Sequence, residues 1–237
     1  MTTRVNEIEK DIYRISISFD EHRLDPASGF EFNHFLIKDK KSMLIHTGGK
    51  NLFEALKSAV SELIPLEDLS YLAFSHFESD ECGALNNWLE AAPNAIPLVG
   101  EFGQDTVEDF SSKAPELVED GQLLALGRRS ILILETPHIP HNWDAMLFFE
   151  TTSGILFSSD LGAHGGIRVP ITEEDMTQTI LEFQEEARFI PDGKDLIKVA
   201  KRLEQLDISY LATMHGSTLK GPYIKKLLQA WKGAEQQ

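Results

Sequence analysis

The chain has 237 residues and carries 38 acidic against 22 basic side chains, a formal net charge of −16. That balance argues against nucleic acid or an anionic membrane as the main partner. Apolar residues make up 42% and charged residues 25%, as in a water-soluble globular protein. With no repeat, low-complexity tract or linker, a single domain over 1–237 is expected.

In chain order, Met1–Glu7 has no apolar signal core, and no later stretch approaches the roughly 20 apolar residues of a membrane span. Asp11–Ser18 alternates apolar with polar and predicts a strand with one wet face, followed by a loop over 19–30 that contains Pro26 and Gly29. Residues 32–37 and 42–45 predict a hairpin around the charged turn Lys38–Lys41. Asn51 is placed to cap an amphipathic helix whose apolar side carries Leu52, Leu56 and Leu63, with Pro65 as its stop. Tyr71–Phe74 reads as a buried strand, Gly83–Ala91 as a helix, 95–99 as a strand and 101–112 as helical. A second hairpin is expected over 123–126 and 130–134, then a loop pinned by Pro137 and Pro140, strands at 146–150 and 154–158, and helices at 173–189 and 194–206. A last buried strand at 208–213 and a C-terminal helix carrying Leu227 and Trp231 complete the chain. This order predicts an α/β (α+β) fold of two face-to-face sheets with helices outside, not a doubly wound parallel sheet.

Chemistry concentrates at the ends of four of these strands. Ser75-His76-Phe77-Glu78-Ser79-Asp80-Glu81-Cys82-Gly83 follows the first. His76, Glu78 and Asp80 stand at i, i+2 and i+4, so they share one side of an extended backbone or wrap around a point if it curls. His141, Asp160 and His215 end the other three. Close carboxylates repel, and a cation between them is the simplest resolution. A lone imidazole is more often an ordinary surface residue; four ligand-bearing strand ends in a layered fold are harder to dismiss. Three imidazoles and three carboxylates with no thiolate favour iron, manganese or zinc over a structural zinc–thiolate site, and they exceed what one tetrahedral ion needs.

With these residues the chain resembles the metallo-β-lactamase superfamily, and within it the flavodiiron proteins and their single-domain oxygen-binding diiron relatives. The superfamily motif H-x-H-x-D-H reads here His76-Phe77-Glu78-Ser79-Asp80-Glu81, with Glu at the second His, as in the flavodiiron branch. The interval of 19 from His141 to Asp160 and the sequence Trp143-Asp144-Ala145-Met146 also look like that branch. The resemblance implies an αββα sandwich. It implies that His76, Glu78 and His141 hold a first iron, that Asp80 and His215 hold a second, and that Asp160 bridges them. It implies binding of O₂ as a sensor or carrier, or reduction of O₂ or NO with electrons from a separate redox protein. Two histidines and a carboxylate leave ferrous iron open to such ligands.

Two departures matter. Glu81 stands where the family often has His; it could ligate the second iron, hydrogen-bond a water on the metal or face solvent. The flavodiiron proteins also carry a flavodoxin domain, whereas no phosphate-binding loop follows His215, so no FMN site is expected here. His138, three residues before His141, is a candidate ligand or supporting group, and His164 a candidate pocket residue. His46 ends a strand where many relatives have Asp. Phe77 and Trp143 are expected to limit water access, and Asn142 and Ser217 to support the ligands by hydrogen bonds. Cys82 is the only cysteine, which forbids an internal disulfide and suits a reducing cytoplasm. A separate redox or signalling protein and a homodimer are the partners considered. The rival reading is a zinc-dependent hydrolase of thioesters, phosphoesters or lactones, which Glu78 in place of His counts against; zinc could also occupy an iron site adventitiously.

Overall fold

The computed structural model describes residues 1–19 and 29–233. Pro26, His22 and nearly all of the loop expected over 19–30 lie outside the described residues.

The alternating apolar runs become strands, and their alternation sets the layers. One seven-stranded sheet comprises Thr2–Glu9 (β1), Ile12–Ser18 (β2), Glu31–Ile37 (β3), Ser42–Ile45 (β4), Leu69–Ala73 (β5), Ile96–Val99 (β6) and Glu116–Leu117 (β7), in that spatial order. Its first four strands pair antiparallel and β4 to β7 pair parallel. The other sheet holds Leu123–Ala125 (β8), Ser130–Glu135 (β9), Met146–Glu150 (β10), Ile155–Ser159 (β11), Ile171–Thr172 (β12), Tyr210–Thr213 (β13) and Thr218–Lys220 (β14), in the order β12-β14-β13-β11-β10-β9-β8.

Successive side chains of a strand point to opposite faces, and both faces of the central strands are buried. Phe35, Met43, Ile45 and Tyr71 face Ile133, Met146, Phe148 and Phe157 of the opposite sheet and form the central layer. Leu36, Leu44 and Leu72 point outward onto Phe53–Ser61 (α1) and, beyond the single turn Ser79–Cys82 (α2), onto Leu85–Ala91 (α3) and Gln104–Phe110 (α4). Leu147, Phe149, Leu156 and Leu211 point outward onto Thr177–Ala187 (α5), Gly193–Leu203 (α6) and Tyr223–Lys232 (α7). The result is the expected αββα sandwich.

Some local expectations are corrected. The helix after Asn51 starts at Phe53 with Leu52 at its cap position and no side-chain cap bond, and it ends at Ser61, short of Pro65. The N-terminal edge strand β1 lies where no strand was expected, because its residues are largely exposed and give little apolar alternation. The helix expected over 173–189 starts at Thr177.

Strand direction gathers the chemistry on one rim. β9 and β11 are each antiparallel to β10, and β11 is parallel to β13, so all three end on the same side. The first sheet is stitched to that side by backbone hydrogen bonds from Met146 N–H to Ser75 O (3.0 Å) and from Asn33 N–H to Met214 O (2.8 Å). The four loops that follow β5, β9, β11 and β13 therefore meet.

Candidate metal centre

Past the end of β5 the chain curls. Glu78 N–H donates back to His76 O (2.9 Å), Glu78 itself is extended (φ −133°), and the turn α2 begins at Ser79. The wrapped alternative of the i, i+2, i+4 pattern is the one realised, and Asn142 holds it by donating Nδ2–H to Phe77 O (3.1 Å) from the loop after β9.

One ligand-type atom from each of His76, Glu78, His141 and Asp160 lies within 4.8 Å of all the others. His76 Nε2 is 3.5 Å from Glu78 Oε2 and 3.6 Å from Asp160 Oδ2. His141 Nε2 is 3.4 Å from Glu78 Oε1 and 3.9 Å from Asp160 Oδ2. Asp160 also faces the other way: its Oδ1 lies 3.3 Å from His215 Nε2, which is 3.4 Å from Asp80 Oδ2. The structure thus brings all of His76, Glu78, Asp80, His141, Asp160 and His215 together, with the Asp160 carboxylate between two sets.

The donor set fits metal ions better than it fits itself. His76 Nε2, both ring nitrogens of His141 and Asp160 Oδ1 are buried without a hydrogen-bond partner, a costly arrangement if nothing else binds them. Two atoms each about 2.0–2.2 Å from one ion stand about 3 to 3.5 Å apart, close to the separations seen. His215 Nδ1–H donates to Glu31 O (2.9 Å), which leaves Nε2 as the free lone pair, as metal-ligating imidazoles require.

Electrostatics point the same way. Burial works against a charged His76, but Glu78, Glu81 and Asp160 outweigh it and raise its pKa to about 9. His141 and His76 together hold Glu78 well below the usual carboxylate range. Burial pushes the Asp160 carboxyl up. A cation at the centre would satisfy the same carboxylates as those imidazole protons do, and would leave the imidazole nitrogens free to bind it.

Rings border the cluster. Phe30 packs on His215 at 4.2 Å between centroids and on Phe183 at 6.3 Å; Phe183 meets Phe189 at 5.6 Å, and Phe189 stacks on His141 at 5.4 Å. This arc runs from one histidine set to the other. Phe77 contacts Phe110 and Trp143, although Trp143 itself is half exposed.

The remaining candidates fall into different places. Glu81 is fully buried and points beneath the cluster, accepting from Ser75 N–H (2.9 Å) and Ser159 Oγ–H (2.6 Å). His138 is exposed and lines a separate surface cleft with Glu135, Asp195 and Arg202. His164 is buried and clamps the loop after β13: its Nδ1–H donates to Gly162 O (3.1 Å) and its Nε2 accepts Ser217 N–H (2.9 Å). Burial lowers its pKa to about 4. Ser217 Oγ–H donates to Val169 O (2.8 Å), so Ser217 steadies the loop and not a ligand. Burial raises the Cys82 thiol to about 12, unlike a reactive thiolate. Sequence reasoning missed the buried Arg14–Glu31 ion pair (2.7 Å), whose Arg14 also donates to Gly216 O (3.0 Å), and it missed Ser159. A fully apolar-flanked Arg in the alternating β2 run was the one available signal.

Comparison with known proteins gives a family and a fold. The profile of a family described as ODP family beta lactamase matches residues 30–216. A nitric oxide reductase of Moorella thermoacetica is 25% identical over 210 residues, which cover 84% of this chain and 51% of that protein. The structure of rubredoxin oxygen:oxidoreductase from Desulfovibrio gigas superposes with a TM-score of 0.86 over 99% of this chain and 62% of its own, at 19% identity. The flavodiiron protein of Giardia intestinalis gives 0.85 over 98% and 59%, at 20% identity. At such identities the structural likeness is one of fold. The chain spans roughly two fifths to three fifths of the length of the curated relatives it matches first. No helix among the described residues is long and apolar enough to cross a membrane.

Proposed function

The chain belongs to the ODP family of β-lactamase-fold proteins, and from that premise we propose that it is a non-haem diiron protein that binds O₂ or NO and reduces them when a separate redox protein supplies electrons. His76, Glu78 and His141 would hold one iron, Asp80 and His215 the other, and Asp160 both. Such a centre, when bound, would supply Lewis-acid and redox chemistry for a diatomic ligand. The observation that carries the reading is the Asp160 carboxylate, buried between two histidine–carboxylate sets and facing one through each oxygen.

The protein's own residues supply the rest. Glu78 adds a hard, anionic donor to the first set, which favours the ferric state over zinc chemistry. Glu31 O fixes which His215 nitrogen faces inward. The Phe30–Phe183–Phe189 arc gives the cluster an apolar border, which suits O₂ and NO. Among relatives, one is named a nitric oxide reductase and another a rubredoxin-oxygen oxidoreductase, and both names support the substrate class. Residues 1–237 would act as one such domain in the cytoplasm, supplied with electrons by a redox donor.

The test is consumption of O₂ and of NO by iron-loaded protein given reduced rubredoxin, with zinc-loaded protein and ester, thioester and lactone substrates in parallel. Donor-dependent consumption by the iron form, or reversible O₂ binding without a donor, is expected. Hydrolysis by the zinc form, with neither gas bound by the iron form, would replace this reading by the hydrolase.

A further inference from the structure

Glu81 is a carboxylate with no exposure at all, set one residue after Asp80 yet turned away from it. Four groups surround it: Ser75 N–H at 2.9 Å, Ser159 Oγ at 2.6 Å, His46 Nε2 at 3.4 Å and, through Ser159, His76. The direction of each bond can be worked out. His46 Nδ1 faces Asn33 O at 3.0 Å and can only donate there, which fixes the ring with its Nε2 turned to Glu81. Ser75 N–H can only donate. The Ser159 hydroxyl lies closest to the carboxylate, so its single hydrogen goes to Glu81. That leaves the Ser159 oxygen as an acceptor, and the group facing it is His76 Nδ1 at 3.5 Å. With a metal ion bound, His76 Nδ1 would thereby be the protonated nitrogen and Nε2 the lone pair turned to the side of Glu78 and Asp160.

The backbone makes the same point independently. His46 and Ser159, the two side chains that grip Glu81, both sit in the left-handed region, at φ +66° and +52°. Neither is glycine, so each is strained there. Ser159 also occupies a register shift at the end of β11. That local break turns its hydroxyl under the ligand histidine. Strain kept at two positions that converge on one buried carboxylate marks a constraint those side chains satisfy together.

We infer that Glu81 is a positioning residue, anchored by His46 and acting through Ser159 to fix the orientation and tautomer of His76. The inference rests on the reading of His76 as a metal ligand and concerns how tightly that set binds, whatever the physiological metal. It is the familiar carboxylate–histidine–metal arrangement with a hydroxyl inserted between carboxylate and ring.

The experiment is titration of the metal-free full chain with Zn²⁺ alone, by calorimetry, with ¹⁵N-histidine NMR of the loaded protein to identify His76. The variant is Ser159→Gly, which deletes the hydroxyl and suits the positive φ, so the metal-free fold should melt no lower than the wild type. We expect one of two binding steps to weaken about 10- to 100-fold, the other to stay, and the His76 Nδ1–H signal to lose its protection from exchange. Unchanged steps and an unchanged signal would overturn the inference and leave the metal site standing. Wild-type protein that takes up no Zn²⁺ would overturn both. Should Ser159→Gly lower the metal-free melting point, Glu81→Gln, which keeps the side chain's size but cannot accept both hydrogen bonds, decides between the same results.

Discussion

Asp160 is the residue on which the two halves of the site depend. Its oxygens face His76 and His141 on one side and His215 on the other, so Asp160→Ala removes a donor from both. Metal analysis of that variant should give one ion per chain or none. Two ions retained would contradict the bridging assignment. A second prediction concerns protons. His34 is wholly buried, donates Nδ1–H to His46 O (3.0 Å) and has no partner at Nε2; burial lowers its pKa to about 3. His164 lies at about 4 for the same first cause. The unfolded chain takes up these protons near pH 6.5, while the folded chain does not until far lower pH. Their contribution is therefore complete above pH 6.5 and is lost as pH falls towards 4, at about 1.4 kcal/mol per pH unit for each. Urea midpoints of the metal-free protein between pH 7 and 5 should show this slope, and His34→Leu should flatten it whatever its effect on absolute stability. A variant with the wild-type slope would show that His34 does not remain neutral in the fold.

At the scale of elements, the site is only as firm as the loops that carry it. The loop after β13 has Gly216 at φ +91°, and a Cβ there would stand 2.5 Å from the His164 ring. Gly216→Ala therefore meets both backbone strain and a clash with the clamp beside His215. A loss of about 2–4 kcal/mol is expected, read from denaturant melts, with weaker binding of one metal ion. A loss below about 0.5 kcal/mol would mean that the loop repacks freely. Outside the ligand set, Trp88 is fully buried in the layer under α1 and donates Nε1–H to Thr47 O (2.9 Å). Trp88→Ala should cost about 3–5 kcal/mol without altering metal stoichiometry in the fraction that folds. Equal losses of metal and stability there would argue that the two layers are not separable.

For the whole molecule, the layers and the ligand rim were legible because they are carried by local patterns: alternation in β3, β4, β5 and β10, and polar residues placed just past strand ends. His76, Asp160 and His215 could be picked out in this way without any contact being known. What escaped notice depends on pairs distant in sequence. Glu81 meets Ser159 across 78 positions and Arg14 meets Gly216 across 202, and no periodicity reports such partners. The same limit explains Glu81 itself: beside Asp80 in sequence it could be a ligand, a partner of a metal-bound water or a solvent-facing residue, and only the curl of α2 turns it under the cluster. His138 is the converse case, close to His141 in sequence but exposed on another face. The net charge of −16 gives no purchase on the site, because the site's carboxylates, from buried Asp160 to exposed Glu78, are a few among the 38 acidic residues.

The most direct test of the account is metal content per chain in protein made and purified without oxygen, followed by the absorption spectrum as air is admitted. The account predicts two irons per chain and a new near-ultraviolet or visible band that depends on oxygen. Two zincs taken up in preference to iron by protein offered both, with no band from the iron-reconstituted form on exposure to air, would contradict it.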